Sequence, residues 1–121
     1  MKKNYRNQSG NLRSLVSKDH TYLLENTDKI MYLRGDENYS TIFLRDEINK
    51  TICKCVKECQ EILGEEKFLR CHKQYLVSID FIEDKNIYGK SVLTLKNNQY
   101  IPISRRKKPL VNKILKGKGI N

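Results

Sequence analysis

The stretch Phe68-Leu69-Arg70-Cys71-His72-Lys73-Gln74-Tyr75-Leu76-Val77-Ser78 sets two short apolar runs on either side of a polar, mostly cationic insert. β-Prone flanks around a charged break read as a hairpin that presents its turn to solvent. Arg70, His72 and Lys73 lie too close together for a core strand, because burying an unpaired charge costs several kcal/mol. Taken alone, such a run is an ordinary solvated face. The arrangement returns, however, at Ile101-Pro102-Ile103-Ser104-Arg105-Arg106-Lys107-Lys108, where four cations follow another strand-like run.

Working outward toward the N-terminus, Tyr22-Leu23-Leu24, Ile30-Met31-Tyr32-Leu33 and Thr41-Ile42-Phe43-Leu44 are short β-prone runs and predict strands. Asn26-Thr27-Asp28 reads as a turn between the first two, and Gly35-Asp36-Glu37-Asn38 as a loop in which Gly35 and Asn38 supply unusual backbone angles. Asp46-Glu47-Ile48-Asn49 is a further turn, with Lys50-Thr51-Ile52-Cys53 as the returning strand. The period then changes: Cys55, Val56, Cys59, Ile62 and Leu63 recur at helical spacing, and Gly64 stands at the stop. This predicts an amphipathic helix laid on a sheet, with its cysteines in the core.

Beyond the central hairpin, residues 78–82 predict a helical turn or bend leading into a strand over residues 82–88, with a reversal at Gly89-Lys90. Ser91-Val92-Leu93-Thr94-Leu95 and Tyr100-Ile101-Pro102-Ile103, joined through Asn97-Asn98, form the clearest hairpin, since Asn tolerates positive φ. Pro102 cannot donate to a ladder and marks an edge or a strand end. After Ser104, a plausible N-cap, the spacing of Leu110, Val111, Ile114 and Leu115 is helical, and Pro109 fits only a first turn. Many short strands with one or two peripheral helices place the chain in the mainly-β class.

With 121 residues the chain suits one domain. Lys and Arg outnumber Asp and Glu by 24 to 14, for a net charge of +10, and the excess is uneven. Every acidic side chain lies between Asp19 and Asp84, so residues 1–18 and 85–121 carry cations alone. Such a field favours a polyanionic partner. No apolar run has the length of a membrane span and no apolar signal region follows Met1, so the expected location is cytoplasmic. Cys53, Cys55, Cys59 and Cys71 then read as free thiols, and their spacing matches no common zinc site. Residues 1–18 read as a basic segment, disordered or helical over residues 12–16 once docked; 19–116 as the domain; and 117–121 as a flexible tail.

No phosphate loop, nucleophile elbow or paired carboxylate motif is present, and His20 and His72 lie far apart, so neither an enzyme nor a cofactor is expected. The adjacent acids Asp36-Glu37 and Glu65-Glu66 read as solvated loops. Three loops are instead equipped for nucleic acid. The first holds Asn38, Tyr39 and Ser40; the second holds Arg70, His72, Lys73 and Gln74; the third holds Arg105, Arg106, Lys107 and Lys108. Lysines suit phosphates, Arg105 or Arg106 suits a bidentate bond to guanine, and Asn38 or Gln74 suits adenine.

The blocks Phe68-x-Arg70-x-His72-Lys73-x-Tyr75-x-Val77 and Ile101-Pro102-Ile103-Ser104-Arg105-Arg106 closely resemble the signature of the LytTR DNA-binding domain of bacterial transcriptional regulators. Ile30-Met31-Tyr32-Leu33, leading through Gly35 and Asn38 to Tyr39, resembles that family's first block, and the likeness runs from about His20 to Leu115. Arg34, Gln74 and Ser78 depart from the residues common there. The resemblance implies an elongated fold of mostly antiparallel strands whose loops enter successive major grooves of bent double-stranded DNA. It implies contacts from Asn38-Tyr39-Ser40, from His72 and Lys73, and from Arg105; Arg70, Gln74 and residues 106–108 join them on chemical grounds. His72 is equally a turn-shaping residue. Cys71 is either a redox sensor with a lowered thiol pKa or a silent half-buried thiol.

Relatives often carry a phosphoacceptor domain, for which 121 residues leave no space, so the expectation is a stand-alone regulator acting at paired sites, with a second copy on DNA. Some relatives of similar layout pair with an inhibitory membrane protein. The competing reading is a basic adaptor that docks on an acidic protein or an anionic membrane surface through residues 105–118, using Leu110, Val111, Ile114 and Leu115. RNA binding is weaker, because the aromatic ribonucleoprotein blocks are missing.

Overall fold

The computed structural model describes residues 17–46, 48–84 and 91–119. Among these residues eight strands form two antiparallel sheets, and three short α-helices cover them. Strands β1 (Ile30–Asp36), β2 (Tyr39–Leu44), β3 (Asn49–Ile52), β4 (Phe68–His72) and β5 (Tyr75–Ser78) make a five-stranded sheet in the order β3-β2-β1-β5-β4. Strands β6 (Ile82–Asp84), β7 (Val92–Leu95) and β8 (Tyr100–Pro102) make the second, in chain order. The helices are α1 (Lys18–Glu25), α2 (Val56–Leu63) and α3 (Lys108–Gly117). The expected strand between residues 82 and 88 is present over Ile82–Asp84, while the reversal at Gly89-Lys90 and the helix over residues 12–16 lie outside the described residues.

Side-chain alternation divides the core across the five-stranded sheet. Leu33, Ile42, Phe68 and Leu76 point to a cluster closed by Leu23 of α1 and by Val56 and Cys59 of α2. Tyr32, Leu69, Cys71 and Val77 point the other way, into a cluster with Leu93, Leu95 and Ile101 of the second sheet and Val111 and Leu115 of α3. Strands β1 and β5 lie between layers, which is why they read as unbroken apolar runs. Strand β2, less covered, keeps the alternation of a one-sided strand.

Tyr22-Leu23-Leu24, expected as a strand, is the middle of α1. The capping chemistry decides this. The Ser17 side chain accepts the His20 N–H (3.0 Å), and Asp19 sits in the first turn. At the far end the Asn26 amide donates to the Tyr22 carbonyl (2.8 Å) and Thr27 Oγ1 to Leu23 O (3.0 Å). Of the three apolar residues only Leu23 is fully buried, a helical rather than a strand pattern. The described residues therefore hold three α-helices, where one or two were expected. Ser17 caps α1, which begins at Lys18, and α3 ends at Gly117.

Other local readings hold. Gly64, at φ 86°, ends α2, and Asn98, at φ 69°, turns the β7–β8 hairpin, where Asn98 N–H bonds Leu95 O (2.8 Å). Pro102 lies on β8, an edge of the second sheet. The loop after β1 differs: Glu37, not Gly35 or Asn38, carries the positive φ of 44°. Gly35 answers a different need. A Cβ there would lie 2.1 Å from Val56 Cγ2, so only glycine lets α2 start against β1.

Candidate nucleic-acid interface

Three loops that are distant in sequence meet at one end of the five-stranded sheet. In the antiparallel ladder Arg34 faces Tyr75, so the β1–β2 turn and the β4–β5 turn leave the same edge, and Gly35 N–H bonds Gln74 O (2.7 Å) to lock them together. The third loop is attached through β4. Ser104 N–H donates to Cys71 O (3.0 Å), and Cys71 Sγ lies 3.5 Å from Pro102 O. Arg105 and Lys73 thus flank one strand end, each within two residues of this junction.

The central turn is braced by its own polar residues. Arg70 Nη2 donates to Lys73 O (2.6 Å), while His72 Nδ1 accepts Gln74 N–H (3.1 Å) and its ring meets Tyr75 edge-on at 5.6 Å. Both residues are half-buried; Lys73 and Gln74 are exposed at the tip. His72 thus makes a hydrogen bond within its own turn. A register shift between Leu69 and His72 marks a bulge, which re-aims side chains at the end of a ladder.

Asn38 and Tyr39 are exposed, Tyr39 by 54%. Ser40 is a correction: it is 1% exposed, its hydroxyl donates to Lys54 O (2.6 Å) and accepts from Cys59 Sγ (3.8 Å), and it anchors the segment before α2. At the third loop, Arg105–Lys107 is a 3-10 turn and Lys108 begins α3. Successive residues of a 3-10 turn are rotated by about 120°, so the four cations cannot share one surface. Arg105, Arg106 and Lys108 are exposed and Lys107 is half-buried.

A groove of about 410 Å³ runs between the first turn of α2 and the two hairpin turns, with Asp36, Glu37, Lys57, Arg70, Lys73 and Gln74 on its walls. Sequence reasoning missed Lys57, which looked like one more solvent-facing residue of an amphipathic helix. The close approach at Gly35 is what carries α2's first turn to the site.

The reading of Cys71 as a redox sensor is overturned. The side chain is fully buried, and burial pushes its thiol up to about 12, leaving no thiolate at neutral pH. Of the α3 residues that a membrane-docking face would use, Val111 and Leu115 are buried in the core and Ile114 is partly buried, which leaves Leu110 exposed. Among the described residues no helix is long and apolar enough to cross a membrane.

Comparison with known proteins agrees with this architecture. The sequence profile of the LytTr DNA-binding domain matches residues 20–116. Among solved structures, the LytTr DNA-binding domain of a methyl-accepting/DNA response regulator from Bacillus cereus is similar, with a TM-score of 0.64 at 22% identity, over 73% of this chain and 82% of that one. No curated protein matches. A profile spanning α1 to α3, over a mostly antiparallel fold of the same kind, settles the assignment: the chain belongs to the LytTR family of DNA-binding domains.

Proposed function

We propose that the chain regulates transcription by sequence-specific binding to double-stranded DNA, with its strand-connecting loops in the major groove. The observation that carries this reading is the pair of backbone bonds, Gly35 to Gln74 and Ser104 to Cys71, that ties the three loops into one surface. Arg105 is the base reader, since a guanidinium bonds guanine O6 and N7 together. Asn38 and Gln74 supply amides of the kind that pair with adenine, while Lys73, Arg106 and Lys108 meet phosphates. Arg70 and His72 hold the turn, and Arg70 also lines the groove beside it.

Two copies on one face of the duplex would recover half-sites separated by about 10–10.5 base pairs. An inhibitory membrane protein, the other partner implied by the resemblance, would act by covering this same surface. Selection of bound duplexes from a random pool tests the proposal. Enrichment of a short motif whose preference is lost in Arg105→Ala supports it; equal loss on every sequence would reduce Arg105 to a phosphate contact.

A further inference from the structure

The groove beside the central turn is lined by three cations. Lys57 comes from α2, Arg70 from β4 and Lys73 from the turn tip, so three elements converge on it. Arg70 is held in place, its Nη2 on Lys73 O at 2.6 Å, while its Nε is buried without a hydrogen-bond partner among the described residues. A buried, unpaired donor of a charged group is costly unless an acceptor arrives. The first turn of α2 borders the same groove. Cys55 N–H there is satisfied by Glu58 Oε1 (3.0 Å), and the next amides, of Val56 and Lys57, have no carbonyl one turn back to bond.

These groups describe an acceptor that is compact, anionic and able to receive bonds from several directions. Among the described residues no aromatic side chain lines the groove, so they offer a nucleobase nothing to stack on. Asp36 and Glu37 line the same groove and repel a free anion. The occupant must therefore be delivered by a molecule already docked on the adjoining loops. We infer that the groove seats one backbone phosphate of the duplex, held by Lys57, Arg70 and Lys73 with help from the α2 amides, and that it sets affinity without reading sequence. This rests on the DNA-binding reading above.

The test uses the full chain and a duplex recovered by selection, titrated by fluorescence anisotropy over a range of salt. Lys57→Ala should weaken binding about 5- to 10-fold at low salt and reduce the slope of log Kd against log salt by about one, one phosphate contact fewer. Its ranking of duplexes and its melting should match wild type. Lys29→Ala, outside the groove, serves as the control. Glu37→Gln should tighten binding about 2- to 3-fold as a repulsive charge is removed. A methylphosphonate scan of the duplex should find a linkage whose neutralisation weakens wild type but not Lys57→Ala. A slope for Lys57→Ala equal to wild type, or a scan in which every linkage costs the variant as much as wild type, overturns the phosphate seat. Wild type binding no duplex at all would remove the DNA-binding reading itself; wild type binding normally while Lys57→Ala is silent removes the groove alone.

Discussion

The two ends of the five-stranded sheet treat their cations in opposite ways. At the end away from the hairpin turns, Lys67 pairs with Asp28 at 3.5 Å, Arg45 lies 5.1 Å from the Phe81 ring centroid, and Lys50 lies 5.0 Å from that of Tyr22. At the turn end Lys73, Arg105 and Arg106 are exposed and none has a carboxylate partner among the described residues. One end uses its cations to finish its own packing; the other leaves these three exposed. Net charge alone could not distinguish them, because the same residue types occur at both.

The largest expected effect tests the open end. Arg105→Ala should weaken binding to a selected duplex by about 10- to 100-fold, the usual worth of one bidentate base contact, with a smaller loss on unrelated sequence. Competition titrations with both duplexes would show it. Lys67→Ala, at the closed end, should leave both affinities unchanged.

Next comes the joint between α2 and the loops. Gly35→Ala must displace Val56, whose branched side chain has little freedom to retreat, and should destabilise the protein by about 1–3 kcal/mol in urea unfolding. DNA binding should fall with it, because α2 and the two turns meet there.

Buried and accessible thiols sit close together near the same end, which allows a sharper comparison. Iodoacetamide at neutral pH should label exposed Cys53 first and spare Cys59 and Cys71 in the folded protein. Burial pushes the Cys59 thiol up to about 11 and that of Cys71 to about 12. Their folded values are raised, so the stability they contribute is complete below the ordinary thiol value near 8.5 and is lost as pH climbs toward the folded values. Urea midpoints should hold steady to about pH 8.5 and then decline, less steeply in Cys71→Ala.

The smallest effect is at the closed end, where Lys67→Ala should change stability by no more than about 0.5 kcal/mol, since its ion pair is exposed. A larger loss would mean that the contrast between the two ends is overstated.

Much of the fold was legible from local pattern. The β-prone run Thr41–Leu44 located β2, 3.6-residue spacing located α2, Gly64 stopped it, and Asn98 marked its turn, because each signal acts within a few residues. The same patterns missed α1, since Tyr22-Leu23-Leu24 suits either state and the caps at Ser17 and Asn26 decide between them. The blocks around Arg70, Tyr39 and Arg105 were enough to bring the family into view.

The sequence by itself determined the mainly-β class, the strand and turn residues, the basic excess and the three polar loops. Only the tertiary structure decided which polar residues bond within the protein and which stay exposed. Ser40 turned inward because Lys54 O lies across from it, Arg70 and His72 became braces because Lys73 O and Gln74 N–H lie within their reach, and Lys57 joined the site because Gly35 admits α2. Residue type specifies what a side chain can bond, but the partner is set by segments that folding alone brings together, and that choice settles which donors remain free.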